Sequence, residues 1–151
     1  MTPDRIGHLR RARDLMDRRY ADPLDLDALA AEAGYSRAHF ARSFHAAFGE
    51  TPHSYLSRRR IERAKQLLAS ANLTVTEVCY LVGFSSLGSF SSRFTELVGR
   101  SPSAYQHVIA SRGGPPPVPG CYVLAWGRPQ LPDRHATDTA RQEKRAPAGD
   151  A

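Results

Sequence analysis

Residues 24–56 read LDLDALAAEAGYSRAHFARSFHAAFGETPHSYL and residues 73–106 read LTVTEVCYLVGFSSLGSFSSRFTELVGRSPSAYQ, two copies of one pattern. Leu24, Leu26, Leu29 and Gly34 recur 49 positions later as Leu73, Val75, Val78 and Gly83. Phe40, Phe44, Gly49, Pro52 and Tyr55 recur 50 positions later as Phe90, Phe94, Gly99, Pro102 and Tyr105. The second copy therefore has one added residue, at Ser85 or Ser86. Each copy reads as helix, turn, helix. Thr74 and Glu77 form a capping-box pattern with Leu73 and Val78 as the hydrophobic staple, and Asp25, Leu24 and Leu29 do the same in the first copy without the Glu. Gly34 and Gly83, which tolerate positive φ, end those helices; Ser36, and Ser85 or Ser86, cap the next ones. A turn of three or four residues between two helices predicts the steep crossing of a helix-turn-helix unit.

On a 3.6-residue wheel Phe40, Phe44, Ala47 and Phe48 group together, as do Phe90, Phe94, Leu97 and Val98, and these are the expected core-facing stripes. The opposite face of the first unit carries Arg37, Ala38, Ala41, Arg42 and His45. That of the second carries Leu87, Gly88, Ser91, Ser92 and Thr95. Small and hydrogen-bonding residues around a single Arg let a helix approach a groove closely, whereas a face meant only for water usually carries Glu and Lys. An ordinary solvated face remains the alternative at this point.

Working outward, Thr51 caps and Pro52 opens a linking helix through residue 70, with Tyr55, Ile61, Ala64, Leu67 and Leu68 inward. Ser101 and Pro102 repeat that start and open a short terminal helix. About 19 residues at 1.5 Å each span roughly 28 Å. Two helices held roughly 34 Å apart can enter successive major grooves on one face of B-DNA, which makes a tandem chain the equivalent of a dimer and its site asymmetric. Arg58, Arg59, Arg60, Arg63 and Lys65 make the linking helix basic; such a run reads more often as a face balancing nearby carboxylates than as phosphate contacts. Residues 3–20 form a further amphipathic helix with Ile6, Leu9, Ala12, Met16 and Tyr20 inward.

Composition agrees with one small domain. The chain has 151 residues and a net charge of +6, and all but two of its 21 Lys and Arg are Arg. Residues 36–112 alone carry +6, so the basic character sits in the middle of the chain and favours a polyanionic partner. Seven of eleven Pro fall in residues 113–151, which places a boundary near Arg112. The expectation is an extended or disordered tail over 113–151, with an apolar island at 121–126 that contains Trp126 and docks as a strand-like or irregular segment. Two Cys cannot make a disulfide framework, and the opening MTPDRIGHLR lacks the apolar stretch of a secretory signal, so a reducing, cytoplasmic setting is expected.

The two units, the linking helix and the Pro-x-x-Tyr ending of both repeats together resemble the DNA-binding domain of the AraC/XylS family of bacterial transcription regulators, over about residues 4–108. The resemblance implies an all-α fold of about seven helices: a tandem helix-turn-helix domain over 1–112, with a first unit at about 24–50, a linking helix at about 52–70 and a second unit at about 73–108. It implies a short stand-alone regulator, in most cases an activator that contacts RNA polymerase, binding double-stranded DNA as a monomer without cofactor, metal or membrane. Carried over residue by residue, it assigns base reading to Arg37, Ala38, Ala41 and Arg42 in the first unit and to Ser85, Leu87, Gly88, Ser91 and Ser92 in the second. His45 joins the first face, and Arg93, aimed between groove and core, is expected to reach a phosphate. Ser92 stands where the family often has a second Arg, so specificity is expected to concentrate in the half-site under Arg37 and Arg42.

Two other classes are weighed against this. The six His and two Cys show no metal-ligand spacing, no Ser lies in G-x-S-x-G, and GFSSLGS lacks the Lys of a phosphate loop, so an enzyme is not expected. A DNA-repair alkyl acceptor would need a Cys set that is absent here. A helical protein-interaction module is the remaining alternative, although a period of 49–50 lies outside the usual helical repeats.

Overall fold

A computed structural model describes residues 3–113 and 117–126. Among them lie eight helices. The first unit comprises α1 (Pro3–Arg18), α2 (Leu26–Glu32) and α3 (Arg37–Phe48); α4 (Pro52–Ser70) follows; the second unit comprises α5 (Val75–Leu81), α6 (Leu87–Val98) and α7 (Pro102–Ser111); α8 is Gly120–Trp126. Two-residue strands β1 (Ala71–Asn72) and β2 (Val118–Pro119) pair in parallel.

Each helix of the repeats starts at the expected residue. The side chains of Asp25, Ser36, Thr51, Thr74, Ser86 and Ser101 accept hydrogen bonds from first-turn amides, and Thr74 with Glu77 completes the reciprocal capping box. The turns are also the same turn. Gly34 and Gly83 have φ of 79° and 100°. The amides of Gly34 and Tyr35 donate to Ala31 and Ala30, and those of Gly83 and Phe84 to Tyr80 and Cys79. This Schellman pairing makes Phe84 the counterpart of Tyr35. Since Ser86 is the cap, Ser85 is the added residue and lies outside α6.

The repeat extends to packing. Phe40, Phe44 and Tyr55 form a chain of rings with centroids 5.8 and 5.7 Å apart, and Phe90, Phe94 and Tyr105 repeat it at 5.8 and 5.5 Å. Two cores result. Leu9, Met16, Leu29, Phe40, Phe44, Tyr55 and Leu56 build the first; Ile61, Leu67, Leu68, Val78, Val82, Phe90 and Phe94 build the second. The linking helix α4 thus gives its first half to one core and its second half to the other. It closes the first unit as α7 closes the second, and backs the second unit as α1 backs the first.

Two sequence expectations need correction. Ala47 and Leu97 are exposed, while Phe48 and Val98 are half-buried against the cores. Packing partners lie one position further round the wheel in the last turn, which the wheel alone does not reveal. The apolar island is not strand-like. Residues 120–126 form α8, with Val123 and Leu124 packed on the second core. Its start is tight enough that a Cβ at Gly120 would collide with the Asn72 carbonyl oxygen. The side chain of Trp126 and residues 127–151, expected to be disordered in part, lie outside the described residues.

Candidate nucleic-acid interface

The candidate reading face of α3 is open. Arg37, Ala38, Arg42 and His45 are exposed and Ala41 is half-buried. Arg37 occupies the first helical position, where the helix dipole disfavours a cation, and its side chain is 84% exposed with Nε 3.2 Å from Asp27 Oδ1. Such an exposed pair contributes little to stability. Arg42 makes no salt bridge among the described residues, so its guanidinium is free to make a bidentate contact.

The corresponding face of α6 carries no cation. Ser85 is exposed in the turn before the helix, Leu87 is 40% exposed, Gly88 and Ser92 are exposed, and Ser91 is half-buried. Thr95 donates its hydroxyl to the Ser91 carbonyl at 2.8 Å. A Cβ at Gly88 would meet nothing within 4 Å. Neither packing nor a left-handed backbone accounts for the glycine, because its φ is not positive.

Arg93 departs from the expectation. Nε donates to Ser57 Oγ at 2.9 Å, Nη2 to the Ser54 hydroxyl and carbonyl at 3.0 and 3.3 Å, and Nη1 to Glu96 at 3.1 Å. Nε and Nη2 fasten α6 to α4, Nη1 is held by Glu96 of α6 itself, and in place of a phosphate the side chain meets the buried hydroxyl of Ser57. The reason is positional. Arg93 lies three residues after Phe90 and beside Phe94, so it borders the core stripe.

Three of the four arginines of α4 are committed in the same way, while the exposed Arg63 donates to Gln66 of its own helix. Arg58 is bound to Glu50 at 2.7 Å and also to Glu62. Arg59 is bound to Asp17 at 3.1 Å and Glu62 at 2.7 Å. The Tyr55 hydroxyl donates to Asp17 at 2.6 Å; burial, then this bond, push its pKa up to about 12. The hydrogen bond to Glu50 holds Arg58 above the ordinary arginine value. Arg60 donates to the carbonyls of Tyr20 and Asp22. Sequence reasoning missed the inward role of Arg60, although a signal existed: it stands four residues after Leu56 and four before Ala64, on the buried side of the wheel.

A helix-turn-helix domain family matches residues 29–107, just over half of the chain. A solved AraC-type DNA-binding domain protein from Chromobacterium violaceum is 30% identical, with a TM-score of 0.61 over 71% of this chain and 96% of that one. The chain belongs to the AraC-type helix-turn-helix family. The DNA-binding domain of the transcriptional factor AdpA, solved in complex with a target DNA, is similar at 30% identity and a TM-score of 0.65, covering 69% of this chain and 94% of that one. The transcriptional activator AarP of Providencia stuartii is 37% identical over 83 residues, 55% of this chain and 62% of AarP. The chain spans about a third of the length of other curated relatives. These AraC-type relatives are named as transcription regulators, and one is solved bound to DNA. Among the described residues of this AraC-type chain, no helix is long and apolar enough to cross a membrane.

Proposed function

We propose that this protein is a cytoplasmic, sequence-specific transcription regulator that binds an asymmetric duplex site as a monomer, with α3 and α6 in successive major grooves. Arg37, Ala38, Ala41, Arg42 and His45 read one half of the site; Ser85, Leu87, Gly88, Ser91 and Ser92 read the other. It acts as an activator, a reading supported by its similarity to the transcriptional activator AarP, and RNA polymerase is the partner such an activator would contact. The observation that carries the proposal is the division of arginines. Arg58, Arg59, Arg60 and Arg93 are bonded to the protein's own groups, whereas Arg42 stands free of any salt bridge among the described residues on the exposed face of α3.

Selection of bound duplexes from a random pool at stated salt tests it. The expected product is one long site without two-fold symmetry, with affinity falling steeply as salt rises, by about 0.9 in log–log slope for each phosphate neutralised. Failure to enrich any duplex, or binding indifferent to salt, would reject it in favour of a protein-interaction module.

A further inference from the structure

The segment Tyr20–Ala21–Asp22, which leaves α1 for α2, lies against the turn Gly83–Phe84 that leads into α6. Three contacts hold this seam between the units. From the middle of α4, Arg60 donates Nε to the Tyr20 carbonyl at 2.6 Å and Nη2 to the Asp22 carbonyl at 2.9 Å. Its guanidinium carbon lies 5.9 Å from the centroid of the Phe84 ring. Gly83 approaches Ala21 so closely that a Cβ there would sit 2.7 Å from the Ala21 carbonyl oxygen. Tyr20 packs against both cores.

No carboxylate bonds to Arg60 among the described residues, and burial lowers its pKa from the ordinary arginine value. It nevertheless stays charged, because arginine does not deprotonate in proteins. A half-buried cation without a counter-ion depends on the dipoles around it, and removing them leaves a charge that is costly to keep. The two carbonyls belong to the first unit, and the ring belongs to the turn that aims α6. One side chain therefore couples the two units, and separating them would strip it of its compensation.

We propose that Arg60 is a positioning residue that locks α3 and α6 at one relative orientation, so that the protein demands a single spacing between the halves of its DNA site. The part concerning DNA rests on the function proposed above. Inserting one base pair turns the second half-site by about 34° around the duplex axis. A flexible pair of units could follow that rotation; a locked pair cannot.

Two measurements test the lock. First, spin labels on cysteines replacing Ala47 and Leu97, in a Cys121→Ser background, report the distance between α3 and α6 in the free protein. A narrow distribution is expected with Arg60, a broad one in Arg60→Met, and an intermediate one in Arg60→Lys, which can still reach one carbonyl. Equal widths would overturn the lock whether or not the protein binds DNA. Second, affinity is compared on the duplex enriched by selection, on the same duplex with one base pair inserted between the halves, and on each half alone. The parent should lose about tenfold or more on insertion, as when base contacts of one unit are forfeited. Arg60→Met should lose much less, with half-site affinities unchanged. An insertion penalty equal in the two proteins would overturn the spacing claim. If no duplex is enriched at all, the DNA-reading proposal fails, and the label distances still decide the lock.

Discussion

Replacing Gly88 by Ala is expected to move stability and affinity in opposite directions. Gly88 is the second residue of α6, its backbone is not left-handed, and a Cβ there would occupy open space. Alanine therefore introduces no clash and removes a helix penalty of up to about 1 kcal/mol. In a domain of this size the gain should raise Tm by roughly 1–5 °C. With the N-terminal turn of α6 in a groove, the bare Cα is the point of closest approach. A methyl group there would hold the helix off the base edges within reach of Ser91 and Ser92. Forfeiting contacts of that kind costs about 1–3 kcal/mol, roughly a five- to 150-fold loss in affinity. Thermal melts followed by circular dichroism, together with anisotropy titrations of the selected duplex at fixed salt, give both quantities on one preparation. An alanine variant that binds as tightly as the parent would refute the close approach. One that melts lower would refute the reading of Gly88 as structurally unneeded.

Arg42→Lys keeps the charge and loses the fork, so preference at one guanine should fall by about 1–3 kcal/mol while the salt dependence stays nearly constant; single-base-pair substitutions across the site would reveal it. Scrambling the half-site under α3 should cost more affinity than scrambling the half under α6, and equal losses would count against the asymmetry. Thr74→Ala should lower stability by about 1 kcal/mol in urea unfolding, with Thr74→Ser restoring most of it. Tyr55 keeps its proton in the folded protein up to about pH 12 and loses it near 10 when unfolded. Its contribution is therefore present below pH 10 and is lost as pH rises from about 10 to 12. Tyr55→Phe should flatten that part of the stability profile, and an unchanged profile would contradict the raised pKa of Tyr55.

The repeat made most of the fold legible because each of its residue types has one local task. Thr74 and Glu77 can only close a capping box if a helix begins there, and Gly83 only makes sense where a helix turns away. Phe40 and Phe90 share a core position for the same reason. Arg60 and Arg93 were harder to read. Within a basic run, residue type suggests solvent, but Arg60 shares the helical face of Leu56 and Ala64, and Arg93 borders Phe90 and Phe94. Their partners on other elements are backbone carbonyls and hydroxyls, which carry no complementary charge to find in the sequence, and the one charge within reach of Arg93, Glu96, lies on its own helix. For residues 121–126 periodicity decides nothing, since a short apolar run suits strand or helix equally. The surface it meets, beside β1 and the second core, selects the helix. The candidate site was legible as two faces; which cations on the chain are free could be read only from the contacts.

That distinction changes what the net charge of +6 means. Arg58, Arg59, Arg60 and Arg93 are bonded to the protein's own groups, so not every cation in the basic middle of the chain is available to phosphates. In the proposed complex, base selection is concentrated in Arg37 and Arg42 on α3, and α6 reads its half more weakly through hydroxyl, backbone and leucine contacts. A weak second contact still counts when it is tethered rigidly at the right place, because its binding is then intramolecular, and it counts for nothing when the tether cannot reach. A stiff α4 with Arg60 pinned to both units would let a weak reading helix contribute through geometry. Loosening the seam should therefore erode the contribution of α6 while leaving that of α3 in place. Strengthening α6 alone, for example by Ser92→Arg, should make the protein more tolerant of a loosened seam.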